Sequence, residues 1–303
     1  MEMERIICYG AGGVFQRCIS EIKEQYEVVA VTAKENPELI EYNYVEPARL
    51  NEIEYDKIVI TSEDYVFPIY EYLINELKID NSKILFYTNI CKEKQERYYG
   101  QQKEDQIVEL ILKVANKNVT HYVEMGASHP INLSNTYYFY QKGINGILVE
   151  PNRRFHPLIE MVRPRDILLK NAVGGKQGQI RFYECKGIGL STCIKPDADI
   201  HENYGVVEEY DVPMITLNDV MEQLESVPEL LSIDVEGMEY ELLSAFDFEK
   251  YSPFIIIVEV SIFGLGPEER NEKAEKIKEL LVKNHYKLVY DNYVNHIYIL
   301  DNA

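Results

Sequence analysis

The sequence predicts an α/β protein in two domains: a small Rossmann-like one over residues 1–97 and, over 98–303, a doubly wound, mostly parallel sheet of seven strands ending in an antiparallel hairpin. Three observations carry this. Apolar runs of strand length alternate with longer amphipathic stretches, the pattern of β-α-β units. Several of those runs stop abruptly at a glycine or an acid, as strands do where a ligand crevice lies beyond their carboxyl ends. Near the C-terminus, two strand-length runs flank Asp291-Asn292, a turn-forming pair that closes the sheet with a hairpin.

In chain order, residues 5–9 form an apolar run entering Gly10-Ala11-Gly12-Gly13, a helical pattern follows through Glu24, and a second strand is expected at 27–32. A strand at 57–61, the amphipathic stretch Ile69, Leu73, Leu77 and a strand at 83–87 complete the first domain. Residues 92–106 turn polar and charged, as a linker or exposed connecting helix does. The second domain opens with the helical spacing Ile107, Leu110, Ile111, Val114 and a strand at 119–125. Ser134 or Asn135 is a candidate cap for a helix that carries Tyr137, Tyr138 and Tyr140 and stops at Gly143. Strands at 145–150 and 166–173 come next. The alternating runs 179–184 and 212–217, with Gly187 and Gly189 between them, suggest hairpins added to the main sheet and covering a substrate. The last third is regular: strand 229–235, helix 238–246, strand 254–260 and a helix started by Pro267 with Ala274, Ile277 and Leu281 on one face.

Composition excludes several classes of partner. The 303 residues carry 51 acidic against 31 basic side chains, a formal charge of -20 that repels nucleic-acid phosphates and anionic membrane surfaces. No apolar stretch approaches the roughly 20 residues of a membrane span; the longest, 254–260, is interrupted by Glu259. The N-terminus, with Glu2 and Glu4, lacks the basic region and apolar core of a signal peptide. Five cysteines (Cys8, Cys18, Cys91, Cys185, Cys193) without C-x-x-C spacing argue against disulfides and structural zinc, so a cytoplasmic protein is expected. Self-association into a homo-oligomer stays open, and no metal is expected.

Two acid-tipped strand ends hold the most chemistry. The run Tyr122-Val123-Glu124-Met125-Gly126-Ala127-Ser128 ends in a single glycine, Gly126, which lets a ligand approach the backbone. On the order of 20 residues later, as in ribose-binding units, Gly146-Ile147-Leu148-Val149-Glu150-Pro151 presents Glu150, a lone carboxylate able to accept from both hydroxyls of a ribose. A dinucleotide requires a fuller G-x-G-x-x-G cradle for its pyrophosphate. An adenosine without phosphates is therefore expected, and S-adenosylmethionine fits. A third strand end, Leu230 to Gly237, presents Asp234 and Glu236 to the same cleft.

With these strings in register the chain resembles the FkbM-type methyltransferases. The motifs are Val123-Glu124-Met125-Gly126-Ala127, Val149-Glu150-Pro151-Asn152, Asn171-Ala172-Val173-Gly174, Ile233-Asp234-Val235-Glu236-Gly237 and Ile257-Val258-Glu259, and the resemblance runs from about residue 105 to the C-terminus. Glu124 stands where the family usually has Asp, and Ser128 where it often has Asn. The resemblance implies a class I methyltransferase fold, S-adenosylmethionine as cofactor, and O-methylation of a hydroxyl on a sugar, glycan precursor or related small metabolite. It places cofactor contacts at Glu124, Gly126, Ala127, Ser128, Glu150, Pro151, Asn152, Asn171, Ala172 and Asp234. The N-terminal domain resembles the Rossmann-like domains of bacterial polysaccharide-biosynthesis proteins, through Tyr9-Gly10-Ala11-Gly12 and Ile58-Val59-Ile60-Thr61-Ser62.

Asp234 is the first candidate to accept a proton from the methyl acceptor, with Glu236 and His129 behind it and His201 as a further histidine. Asp234 and Glu236 are expected to divide their roles, at most one reaching the substrate while the other caps helix 238–246. Glu259 interrupts an apolar strand, and a buried acid needs a partner or a task. In the N-terminal loop the third glycine of a dinucleotide fingerprint falls at Phe15 and no acid ends the second strand, so its glycines serve either a nucleotide or only the tight turn. Two other functions remain in view: a non-catalytic nucleotide-sugar-binding scaffold, and an NAD-dependent oxidoreductase working through the N-terminal domain.

Overall fold

Parallel strands dominate both halves of the chain, because nearly every strand is separated from the next by a helix that must cross back over the sheet. The structure, a computed structural model, describes residues 3–37, 41–91, 97–186, 191–194, 205–261 and 266–301. It divides into two compact units, one comprising Met1–Gln95 with Glu160–Val162 and the other Glu96–Ile159 with Arg163–Ala303.

In the first unit, β1 (Arg5–Tyr9), β2 (Glu27–Thr32), β3 (Lys57–Ile60) and β4 (Ile84–Phe86) form one parallel sheet in the order β2-β1-β3-β4. Helix α1 (Gly13–Gln25) buries Phe15, Cys18 and Ile22, a spacing of one helical face. Gly10 has φ +116°, and a side chain there would meet the Thr61 carbonyl oxygen at 2.9 Å. That glycine is required by the turn itself. The amphipathic stretch around Ile69 to Leu77 is a short α2 (Val66–Glu71) running into a π-helical turn, Tyr72–Glu76.

In the second unit, α3 (Glu104–Ala115) precedes β5 (Tyr122–Met125), and α4 (Tyr137–Gln141), β6 (Ile147–Val149), α5 (His156–Val162) and β7 (Ile167–Leu169) follow. After an excursion come α6 (Leu217–Met221), β11 (Leu230–Ile233), α7 (Glu239–Ser244), β12 (Ile255–Glu259), α8 (Pro267–Lys283), β13 (Tyr286–Asp291) and β14 (Asn295–Leu300). The sheet order is β13-β14-β12-β11-β5-β6-β7, with β14 antiparallel to both of its neighbours and all other pairs parallel. β5 and β11, neighbours at the centre, start the two halves of the winding, and their junction is the switch point where such sheets bind ligands. One face packs Val123, Met125, Leu231, Ile233, Ile256 and Val258 against Leu242 and Leu243 of α7 and Ala274, Ile277 and Leu281 of α8. Helix α8 has Pro267 in its first turn with Glu268 and Glu269, and Lys283 in its last, in keeping with the helix dipole.

Two expectations are corrected. The segment 166–173 is two strands, β7 and β8 (Ala172–Val173), because the chain leaves the main sheet after Leu169. The hairpin predicted to extend the main sheet is instead a separate one: β8, β9 (Gly178–Cys185) and β10 (Val206–Ile215) pair in the order β8-β10-β9. Phe182, Val212 and Met214 bury its inner face against Met238, a small core of its own. The expected glycines Gly187 and Gly189 lie outside the described residues. Among the described residues no helix is long and apolar enough to cross a membrane.

Candidate active site

A cleft opens beyond the carboxyl ends of β5, β6, β8 and β11, between Gly126, Glu150, Phe155, Phe182, Asp234 and Met238. Of the residues expected to contact a cofactor, Gly126, Ser128, Glu150, Pro151, Asn152, Asn171, Ala172 and Asp234 line it, and Glu236 does so as well.

Gly126 gives the cleft its floor. With φ +76° it turns the chain sharply as β5 ends, and a side chain there would sit 1.7 Å from the Asp234 carbonyl oxygen. Its N–H and that of Ala127 donate to the Val149 carbonyl at 2.9 and 3.1 Å, tying the turn to β6. Ala127 is buried behind the turn, outside the cleft lining.

Glu150 follows β6 and is 4 % exposed. One carboxylate oxygen accepts from the Ser128 N–H at 2.6 Å and the other from the Asn152 N–H at 2.7 Å, leaving lone pairs on both. Burial pushes its carboxyl up to about 7 although those two N–H donors pull it down, and Asp234 adds to the rise. The Ser128 hydroxyl is buried and has no hydrogen-bond partner.

Strand β11 stops at Ile233, and the chain then turns, with φ +53° at Glu236 and +114° at Gly237, and both Asp234 and Glu236 line the cleft. The expectation that at most one reaches it is corrected: positions two apart share a face of an extended chain, and here both fall in the turn beyond the strand. Neither caps the following helix: Glu239, in the first turn of α7, accepts from the Val235 and Gly237 N–H groups, each at 3.1 Å. Burial raises Asp234 to about 7, reinforced by Glu239 and partly offset by a hydrogen bond with Glu259. Burial and the charge of Asp234 raise Glu236 to about 9. Glu259 at the end of β12 rises to about 11 for the same two reasons. Asp234, Glu239 and Glu259 offer oxygens all within 4.8 Å of one another, and Lys273 Nζ stands 2.7 Å from Glu239 Oε2. Mutual repulsion among these acids adds to the rise of Asp234 and Glu259.

Besides Ala127, two further expected site residues, Glu124 and His129, are not part of the cleft lining. The Glu124 carboxylate accepts from the Asn135 N–H at 2.9 Å, from the Thr136 hydroxyl at 2.6 Å and from Arg163 Nη1 at 3.2 Å. With Ser134 Oγ also 3.0 Å away, it anchors segment 134–136 over the buried Arg163 guanidinium. His129 is 3 % exposed, and its Nδ1 accepts from the Ile131 and Asn132 N–H groups at 3.1 and 2.9 Å. Burial lowers it to about 4, and it is not part of the cleft lining. Its Nδ1 lone pair shapes the loop 129–132. His201 lies outside the described residues.

Residues the sequence did not single out complete the wall: Phe155, Phe182 and Met238 supply apolar area, and Ser191, Thr192 and Cys193 supply polar edges. Only proximity in space marks them, since a phenylalanine at strand or helix spacing reads as core.

The raised acids carry a stability consequence. By about pH 7.5, a unit above the ordinary value, histidines of the unfolded chain are largely neutral. Glu236 and Glu259, raised to about 9 and about 11, keep protons in the folded protein that the unfolded chain has lost. Folding therefore binds protons there, and stability falls as pH rises. The melting temperature of the ligand-free protein is expected to drop steadily from about pH 7.5 to 9; a flat or rising profile in a scan of differential calorimetry contradicts the buried acid cluster.

A seven-stranded sheet in this order, with its sixth-position strand reversed and an acid-lined cleft at the central switch point, defines the class I methyltransferase architecture. Residues 124–288, more than half of the chain, match the Methyltransferase FkbM domain, and the chain belongs to that family. Residues 2–85 match the C2185-like N-terminal domain. No curated protein matches the chain in sequence. Among solved structures, a candidate O-methyltransferase from Klebsiella pneumoniae superposes with a TM-score of 0.37 at 8 % identity, covering 68 % of this chain and 83 % of the other. The S-adenosylhomocysteine-bound Podospora anserina methyltransferase PaMTH1 gives 0.33 at 8 % identity over 71 % and 82 % of the two chains. These superpositions are loose, and it is the strand order that defines the fold.

Proposed function

We propose that residues 98–303 transfer a methyl group from S-adenosylmethionine to a hydroxyl of a sugar, glycan precursor or related small metabolite, with residues 1–97 as an accessory domain. The observation that carries this is the cleft in which the Gly126 backbone passes directly against Asp234 while Glu150 offers both carboxylate oxygens. The residues fit the cofactor. Glu150, fixed by two backbone donors, has the free lone pairs to hold ribose hydroxyls, and the buried, unpartnered Ser128 hydroxyl awaits a polar group. Phe155, Phe182 and Met238 provide the apolar walls that an adenine ring needs.

When bound, the cofactor supplies an electrophilic methyl on a sulfonium. A hydroxyl attacks it usefully only as its proton leaves, and the acid cluster provides the acceptor for that proton. We assign that role to Asp234, just beyond the tip of β11, the strand beside the one that leads into Gly126; Glu259 hydrogen-bonds to it. Sugars as the acceptor class rest on the family likeness and on the N-terminal domain's resemblance, and the excess of negative charge disfavours nucleic acid.

Glu150→Ala is expected to weaken S-adenosylhomocysteine binding by about tenfold to a hundredfold, since charged hydrogen bonds contribute roughly 1.5–3 kcal/mol. Calorimetric titration showing an unchanged affinity in a folded variant contradicts the ribose assignment. For the reaction, the purified protein is incubated with methyl-labelled S-adenosylmethionine and a panel of sugars and nucleotide sugars. Label in an ether oxygen's methyl supports the reading; transfer confined to amines or carbons rejects it.

A further inference from the structure

We propose that Glu239 and Lys273 are positioning residues that hold the turn Asp234–Gly237, and with it both carboxylates of the cleft; this rests on the methyl-transfer reading of that cleft. The turn has a conformation that needs support. Glu236 sits at φ +53°, a left-handed state that a non-glycine residue keeps only when its surroundings fix it. The support comes from Glu239, which is wholly buried two residues beyond the turn. Its Oε1 accepts from the N–H groups on either side of Glu236, Val235 and Gly237, each at 3.1 Å. A single carboxylate oxygen thus clamps the backbone flanking the strained residue.

A buried carboxylate needs a counter-charge, and Lys273 from α8 supplies it. Lys273 Nζ lies 2.7 Å from Glu239 Oε2, with side chains 12 % and 0 % exposed. The two atoms are misaligned for a hydrogen bond, so the contact is ionic. The same ammonium draws Asp234, Glu236 and Glu259 down from the high values that burial gives them. Lys273 therefore acts twice: it pairs with Glu239 behind the turn, and it sets how readily the cleft acids lose their protons. Helix α8 follows β12 in the chain, so the cleft's acids depend on a residue that belongs to none of the motifs.

The test uses the full chain and two measurements: calorimetric titration with S-adenosylhomocysteine from pH 6 to 9, and amide hydrogen exchange over residues 234–238. Glu239→Ala is expected to speed exchange of this segment at least about tenfold and to weaken S-adenosylhomocysteine about tenfold or more, while Glu239→Gln, which keeps an acceptor oxygen, stays nearer the wild type in exchange. Lys273→Met is expected to move the pH dependence of affinity upward by about one unit, since the remaining acids then hold protons to higher pH, and Lys273→Arg to restore it. A purely structural ion pair would lower the melting temperature without moving that profile. Unchanged exchange in folded Glu239→Ala, or a Lys273→Met profile that overlays the wild type, overturns the proposal. Failure of the wild type to bind S-adenosylhomocysteine overturns the cofactor reading instead, and the exchange result still decides the clamp because it needs no ligand.

Discussion

Gly126→Val is expected to abolish S-adenosylhomocysteine binding and to destabilise the C-terminal unit severely. The first atom of any side chain there would lie 1.7 Å from the Asp234 carbonyl oxygen, a backbone atom that cannot swing aside as a side chain can. The Asp234 N–H also donates to the Met125 carbonyl at 3.0 Å, so relieving the clash means parting β5 from β11 at the centre of the sheet. The φ of +76° adds a second cost, because a β-branched residue is a genuine outlier there. Overpacking and backbone strain each cost roughly 1–3 kcal/mol, a sum on the order of the lower end of a typical domain's stability. Gly12→Ala is the control: nothing lies within 4 Å of a Cβ at that position. Thermal unfolding and calorimetric titration together read the outcome, and a Gly126→Val protein that binds with wild-type affinity removes Gly126 from the cofactor site.

The second large effect is expected from Asp234→Asn, which keeps the shape of the side chain and removes its ability to take a proton. A positioned general base contributes roughly 100- to 10,000-fold, so turnover should fall by that factor while most cofactor affinity remains. The pH dependence has a definite sign. Asp234, raised to about 7 by burial and by Glu239, must be ionised to act, so wild-type turnover should rise with pH through about 7 and lose that limb in the variant. Because Asp234, Glu236 and Glu259 titrate as a group, the limb reports the cluster and not one carboxyl. Glu236→Gln is the companion variant. If it loses turnover and Asp234→Asn does not, the two roles are exchanged; if both stay active, neither is the base.

Much of the fold was legible because each element carried its own period and its own stop signal. Pro267 with Glu268 and Glu269 opened α8 where the pattern placed it, and Ala274, Ile277 and Leu281 turned inward as their spacing required. The β7–β8 break was not legible: residues 166–173 are a continuous extended pattern, and leaving the sheet after Leu169 depends on where β10 lies. The separate sheet of β8, β9 and β10 was hidden for the same reason, since alternation shows that a strand has two unlike faces but not which sheet covers one of them.

In the site, the sequence by itself determined which strand ends carry a glycine or an acid, and hence the cofactor class expected there. Glu150 was found because a lone acid after a buried strand is a local signal with a known chemical use. Tertiary structure decided which side chains actually meet. It took Glu124 and His129 out of the cleft, because their acceptor atoms are used by backbone and hydroxyl groups of residues 131–136. It brought Asp234 and Glu236 in together, in the turn that follows the end of β11 at Ile233. It also joined Glu239 to Lys273, two charged residues among many in the sequence, whose pairing is set by the crossing of α7 and α8 over one sheet. Strand tips are written in local composition, whereas proton affinity and contact depend on burial and on neighbours that only the folded chain brings within a few ångströms.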